Sequence, residues 1–299
     1  MSENLTNGLI LALAVFMGCA YYVAMKPVNM RVAHESHIPL FNALFSAAGF
    51  LLLAAYSLTA KAGLRLPPSG IAAAACYGIV ATLAVYANMK ALERGPLSLT
   101  SLFAKFSLLL PLAYSFLFLR EQASAFRITG IALIFVCIVL FANPRRTGRE
   151  PLTRGWLVMA LLLMVCNGAV QLVGKIYAMR SANAYRDAFL LWSFGFETLA
   201  ALIIFLLLSR GKSAGLARAF VSPAVLGLSA VIAVAALVMN FAIVALATRM
   251  DGSVFFPVYS GGPLILIALA GYLIFGEEMT LRKAAGILLG IAAIVLLNL

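Results

Sequence analysis

The chain has 299 residues, 64% hydrophobic and only 11% charged, with a formal net charge of +12. A soluble domain carries about 25% charged residues, and a water-facing globule of this size has neither the interior for so many apolar side chains nor enough charge to cover its surface. The solvent is therefore largely lipid, which excludes soluble enzymes, nucleic-acid binders and disulfide scaffolds; the basic residues punctuate apolar runs, as they do in membrane loops.

A membrane-crossing helix needs about 20 apolar residues. In chain order the charge-poor runs are 4–25, 36–60, 66–89, 95–119 (interrupted by Lys105) and 125–143, where Arg127 is placed to snorkel at one end. A basic, proline-flanked linker, 144–154, then divides the chain almost evenly, and five further runs follow at 155–174, 188–209 (holding Glu197), 220–248, 252–276 and 284–299. The runs are continuously apolar and do not alternate, so helices are favoured over a barrel. The expected fold is an all-α membrane protein of ten transmembrane helices. The first run reads as a retained span, because its leading residues include Glu3 and no basic residue, unlike a cleaved leader.

The two halves repeat. A shift of 156 residues superposes Glu121 on Glu277, Gly130 on Gly286, Ile131 on Ile287, Leu133 on Leu289, and Ile138, Val139 and Leu140 on Ile294, Val295 and Leu296. A weaker echo at 147 residues puts Gly8 on Gly155 and Cys19 on Cys166. The units are residues 1–143 and 155–299, five spans each. Because five is odd, the second unit enters the membrane from the opposite face, and inverted repeats that meet at the midplane create a site able to open to either side. That is a transporter's geometry.

The stretch Gly276-Glu277-Glu278-Met279-Thr280, followed by Gly286 and Gly290, resembles the G-E-x-x-T…G…G signature of the EamA-type repeat in the drug/metabolite transporter superfamily. Its degenerate partner is Arg120-Glu121-Gln122-Ala123-Ser124, followed by Gly130, with Arg120 where the family often has glycine. The resemblance covers essentially the whole chain. It implies a ten-helix exporter of small metabolites, with YddG-like amino-acid exporters among its relatives, and cytoplasmic termini. Independently of the family, Ser124 and Thr280 are positioned to cap the last helix of each half. Gly286 and Gly290 make a small-xxx-small face for close helix approach. Glu121 and Glu277 read as interfacial carboxylates, solvated or paired with arginine.

An ionisable group at depth in hydrocarbon costs several kcal/mol and asks for a partner or a function. Lys105 lies near the middle of the fourth span and Glu197 near the middle of the seventh. Either they pair with each other, or Lys105 faces a cavity and binds a substrate carboxylate. Lys105 maps onto Gly261 in the repeat, so the charge breaks the internal symmetry. Further candidates for substrate binding at similar depth are Tyr86, Asn88, Ser101, Asn167, Gln171, Trp192, Asn240 and Tyr259. Ser101 with Lys105, and Asn167 with Gln171, each form a polar stripe one helical turn long. Interhelical hydrogen bonding explains such stripes equally well, and tyrosine and tryptophan also serve as interfacial anchors. Gly261, Gly262 and Pro263 are expected to bend or interrupt the ninth span, and Pro111 the fourth, in a gating or hinge role.

The four cysteines form no C-x-x-C pair, and His34 and His37 stand without an acidic or cysteine cluster, so no metal or cofactor is expected. Motifs of intramembrane proteases and nucleotide-driven pumps are absent. The expectation is a non-enzymatic secondary exporter of small molecules, amino acids foremost, in a cell inner membrane. Its expected partners are substrate and the lipid bilayer, with no nucleic acid, and the oligomeric state stays open, a monomer being compatible with the sequence. Transport of phosphorylated or nucleotide-linked sugars, or of cationic drugs, is the alternative; a receptor or membrane enzyme is the different class. Lys and Arg divide as 13 in odd-numbered loops and 8 in even-numbered loops, with Lys105 inside a span. That bias places the odd loops in the cytoplasm, the reverse of what the resemblance implies.

Overall fold

The computed structural model describes residues 3–59, 63–94, 97–121, 124–141, 153–181, 184–275 and 281–297. These residues contain helices and no strand. The helices are α1 (Glu3–Asn29), α2 (His37–Thr59), α3 (Pro68–Arg94), α4 (Leu97–Phe106), α5 (Leu109–Leu117), α6 (Ala125–Phe141), α7 (Arg154–Ser181), α8 (Arg186–Ser209), α9 (Ser213–Phe220), α10 (Pro223–Leu246), α11 (Gly252–Phe275) and α12 (Leu281–Leu297). Six of them, α1, α2, α3, α7, α8 and α10, are long and apolar enough to cross a membrane, and four shorter apolar stretches lie at Phe103–Leu117, Ala125–Leu140, Gly252–Ile267 and Ala284–Leu297. The protein is a multi-pass membrane protein. Most of the basic linker, together with Glu277 and Thr280, lies outside the described residues.

Helix is the local solution because hydrocarbon offers no partner to a free N–H or C=O. Which face turns outward follows from side-chain spacing. In α1, Leu5, Leu9, Leu13 and Phe16 form an exposed stripe at three- and four-residue intervals, while Leu11, Ala14, Ala24, Met25 and Val28 are buried. Lipid tails are as apolar as these side chains, so helices associate through close packing and polar contacts. The principal pairings are α1 with α10, α2 with α8, α3 with α7 and α6 with α12. Each is antiparallel: Gly70 of α3 lies against Tyr177 and Gly130 of α6 against Leu297, for example, while Ala91 packs with Trp156 and Cys137 donates its S–H to the Gly286 carbonyl at 3.2 Å. Ser124 caps α6 as expected, its hydroxyl accepting from the Arg127 amide at 3.2 Å.

The expected interruption of the ninth span is corrected. α11 continues as helix through Gly261, Gly262 and Pro263. There the small residues serve contact: a Cβ on Gly261 would meet Ile134 of α6 at 2.9 Å, and one on Gly262 would meet Val15 of α1 at 2.8 Å. The fourth run does break, near the Pro111 expected to bend or interrupt it: α4 stops at Phe106 and α5 begins at Leu109. Pro111 supplies the cause, since it has no N–H to offer the Ser107 carbonyl and its ring clashes with that oxygen. Tighter bonds bridge the gap, Leu108 N–H to Lys105 O at 3.3 Å and Leu110 N–H to Ser107 O at 3.2 Å. Gly168 of α7 admits the bulging turn, because a Cβ there would stand 2.7 Å from the Ser107 carbonyl oxygen.

α3 and α8 touch backbone to backbone at Gly78. A Cβ at that position would lie 2.5 Å from the Ser193 carbonyl oxygen and 2.6 Å from the Glu197 amide nitrogen. Gly78→Ala is expected to destabilise the protein by about 1–3 kcal/mol. Gly227→Ala, where the added carbon meets nothing within 4 Å, leaves the thermal midpoint in detergent unchanged or raised.

Candidate functional site

A cavity of about 160 Å³ opens where α1, α2, α3, α4, α7, α8, α10 and α11 converge. Its aromatic walls come from Tyr21 and Tyr22 of α1, Phe45 of α2, Tyr77 of α3, Phe194 of α8 and Tyr259 of α11. Polar groups enter from Lys105, Ser107, Asn167, Gln171, Glu197, Asn240 and Ser260. The broken turn between α4 and α5 thus borders the cavity, where irregular backbone at membrane depth is tolerated.

Lys105 is 8% exposed. Its ammonium donates to the Tyr22 hydroxyl at 3.2 Å and stands 4.4 Å from the centre of the same ring, so the tyrosine's electron-rich face offsets part of the desolvation cost. Glu197 of α8 lines the same cavity and is 5% exposed. It forms no salt bridge with Lys105, so mutual pairing is not the arrangement adopted. Thr82 of α3 fixes the main chain beneath it, donating to the carbonyl oxygens of Gly78 at 3.0 Å and Glu197 at 3.2 Å. Gln171 spans the helix break, its amide donating to the Ser107 hydroxyl at 3.2 Å and the Asn167 carbonyl at 3.3 Å. Across the cavity the Tyr77 hydroxyl donates to Asn240 Oδ1 at 2.9 Å.

Of the residues singled out from the sequence, Lys105, Asn167, Gln171, Glu197, Asn240 and Tyr259 meet on one cavity. Tyr86, Asn88 and Trp192 do not. Tyr86 turns to one end of the bundle and donates to the Glu35 carboxylate, which also meets Lys90 at 3.0 Å. The Tyr86 hydrogen bond first, and then Lys90, hold the Glu35 carboxyl below its ordinary range against the effect of burial. Trp192 is 40% exposed and donates its indole N–H to the Leu64 carbonyl at 3.0 Å, an anchor at the bundle's outer face. The Ser101 side chain lies outside the described residues. Sequence reasoning missed Tyr21, Tyr22 and Ser107, since a tyrosine pair near the end of an apolar run reads as an interfacial belt.

Residues 6–143 match the model of the EamA-like transporter family. The members of that family are membrane transporters of drugs and metabolites, not enzymes. The whole chain is also similar in fold to a solved crystal structure, described simply as that of a protein, with a TM-score of 0.71 and 18% identity, covering 97% of this chain and 96% of the other. No curated protein matches the chain.

Within the EamA-like segment, the signature carboxylate Glu121 is corrected from a surface position to an interior one. Its side chain is 9% exposed and pairs at 3.1 Å with the ammonium of Lys175, itself 2% exposed. Glu121 also accepts from the amides of Gly252 and Ser253, both at 2.9 Å, and so caps the N-terminus of α11. Lys175 adds a bond to the Ser115 hydroxyl at 2.7 Å, and Gly252 leaves room for both groups, since a Cβ there would collide with Ser115 Oγ and Lys175 Nζ. Nearby, Arg127 pairs with Asp251 at 2.7 Å. Arg120, beside this knot, has φ of 52°, the left-handed region in which glycine is the easy occupant. Lys175 was hidden as the end of an apolar run, yet Asn167, Gln171 and Lys175 continue a single four-residue stripe.

Burial opposes ionisation of Glu121, but the amides of Ser253 and Gly252 and the Lys175 ammonium outweigh it and hold the carboxyl below its ordinary value of 4.5. A lowered folded-state value makes its contribution fully present above about pH 4.5 and lost as pH falls through the lowered value. Glu121→Ala, which strands a buried ammonium, is expected to cost about 3–5 kcal/mol. The gap in thermal midpoint between wild type and Glu121→Gln, followed by light scattering in detergent from pH 7 to pH 3, is expected to narrow on the acid side of that window.

Proposed function

We propose that the protein is a secondary-type transporter that exports small metabolites, amino acids foremost and aromatic ones among them. It would work by alternating access around the central cavity, between two inverted five-helix repeats, residues 1–143 and 155–299, joined by the basic linker 144–154. The observation that carries this reading is a lysine and a glutamate that line one cavity without forming a salt bridge with each other. An amino acid presents the complementary pair. Lys105 would hold the substrate carboxylate as a charge-assisted hydrogen bond, while Asn167, Gln171, Asn240 and the tyrosine walls receive the remainder.

Three further observations support the architecture. The six long helices and four shorter apolar stretches together supply ten segments. If α1, α2, α3, α4 with α5, and α6 correspond to α7, α8, α10, α11 and α12, the main pairings exchange as a two-fold axis requires: α1 with α10 becomes α7 with α3, while α2 with α8 and α6 with α12 map onto themselves. The antiparallel sense of these pairs suits repeats of opposite orientation. Pro111 at the α4–α5 break is the better hinge candidate, with Gly261, Gly262 and Pro263 forming the surface against which α1 and α6 would slide.

A phosphorylated or nucleotide-linked sugar would call for several cations, and Lys105 is the one cation among the described residues lining the cavity. A cationic drug would suit Glu197 and the aromatic walls but leave Lys105 facing a like charge.

The test is counterflow in liposomes. Lys105→Ala and Lys105→Gln, folded and reconstituted, are expected to slow amino-acid counterflow by at least about tenfold, the loss of one charge-assisted bond; wild-type rates would remove Lys105 from the site. With ten spans both termini share a side, which we assign to the cytoplasm of an inner membrane on the family resemblance. A fluorescent reporter fused after Leu299 is then expected to fold and fluoresce, and an alkaline phosphatase fused there to stay silent.

A further inference from the structure

Two acceptor groups of the cavity, on Glu197 and Gln171, have no donor among the described residues. Among the described residues no hydrogen bond or ion pair reaches the Glu197 carboxylate, although the residue is 5% exposed. Gln171, 7% exposed, has its amide N–H groups committed to Ser107 and Asn167, while its carbonyl oxygen Oε1 is buried with no partner. Asn240 Oδ1 is already taken by Tyr77. A buried acceptor left without a donor costs about 1–3 kcal/mol; the Gln171 oxygen is such a group, and the Glu197 carboxyl faces the same cavity without a partner among the described residues, so a ligand that donates to both removes the deficit.

We propose that Glu197 and the Gln171 carbonyl oxygen form the subsite for a primary ammonium, so that the cavity selects zwitterions over carboxylates or amines alone. This rests on the amino-acid reading above and adds to it the group that sets specificity. A primary ammonium has three N–H donors. The carboxylate takes the charge, and the neutral amide oxygen takes a further N–H at no additional charge cost. Glu197 is well placed for such a role because it is held from behind. Thr82 bonds its carbonyl, and the Gly78 contact brings the α3 backbone against its amide, so α8 cannot roll to carry the carboxylate away from the cavity. Discrimination follows from the deficit: a ligand lacking the amine leaves Glu197 buried and unpaired, and a site built to bond a polar group rejects the analogue that lacks it far more strongly than an apolar pocket rejects a missing methylene.

The test uses two isosteric trios in proteoliposome counterflow: phenylalanine, 3-phenylpropionate and 2-phenylethylamine, and leucine, 4-methylpentanoate and 3-methylbutylamine. Wild type is expected to carry the amino acid at least tenfold faster than either partial analogue. Glu197→Gln is expected to collapse the preference over the deaminated acid while keeping the preference over the amine, and Lys105→Met to do the reverse. A purely structural role would not split the two ratios in opposite directions. Wild-type protein supplies a readout that needs no variant to fold: 2-phenylethylamine and 3-phenylpropionate, weak ligands that each fill one subsite, should each inhibit phenylalanine counterflow once present in at least about a hundredfold excess. A Glu197→Gln protein that retains the wild-type ratio, or an amine that fails to compete, overturns the ammonium subsite alone. Wild-type protein that carries neither amino acid overturns the amino-acid reading and the subsite with it.

Discussion

A backbone surrounded by hydrocarbon must satisfy its own hydrogen bonds, and the arrangement of this protein follows from where that demand is met and where it is not. Ten of the twelve described helices are joined to their neighbours by connections between separate apolar runs. The turn at Ser107 and Leu108 is different. Pro111 forbids the ordinary bond, so the chain breaks in mid-run, and the surrounding elements answer it: Gly168 gives the bulged carbonyl room, and Gln171 reaches across to the Ser107 hydroxyl. The cavity forms beside that break. Lys105, one turn before it, and Gln171, which spans it, are brought to the same wall by a single proline.

Charge is managed differently at the ends and at the centre. Near the ends, each buried ammonium has its carboxylate: Lys90 has Glu35 and Glu93, and Lys175 has Glu121. The Glu121 knot also joins the connection between α5 and α6 to α7 and to the start of α11, so one carboxylate ties helices from both halves of the chain. In the centre the pattern stops. Lys105 rests on a tyrosine and Glu197 on nothing charged, although both are buried, as Lys90 and Lys175 are. Breaking a buried pair is strongly destabilising, whereas an unpaired charge in a cavity is a standing cost that stability alone would remove. The contrast between paired ends and an unpaired centre is the physical ground of the proposal that substrate binds there.

Residues 6–143 match a transporter family, and the fold is like that of a solved structure over nearly the whole chain. The first gives the broad activity of the family, and the second gives architecture. Neither assigns a substrate, and the argument for an amino acid comes from the chemistry of the cavity: one cation, one carboxylate, unspent amide acceptors and aromatic walls.

Much of this was legible in the residues themselves. Lipid as solvent, helix as the only secondary structure, the positions of the apolar runs and the depth of Lys105 and Glu197 all follow from composition and spacing, because hydrocarbon imposes the same local rule on every segment. Six of the ten proposed binding residues share the cavity for the same reason: polar groups at mid-span have nowhere else to go. Tyr86 and Trp192 went elsewhere because depth along a helix does not say which way a side chain faces when nearly every face is apolar. A bend or interruption was expected at both Gly261 and Pro111, and the helix breaks only before Pro111, since glycines permit either a bend or a close contact, and the neighbours Ile134 and Val15 decided for contact. Glu121 became an interior cap, and Lys175 its partner, because pairing between residues 54 positions apart depends on which helices lie side by side. Periodicity describes one helix at a time; the choice of neighbours belongs to the tertiary structure, which alone could close the charges at the ends and leave those at the centre open.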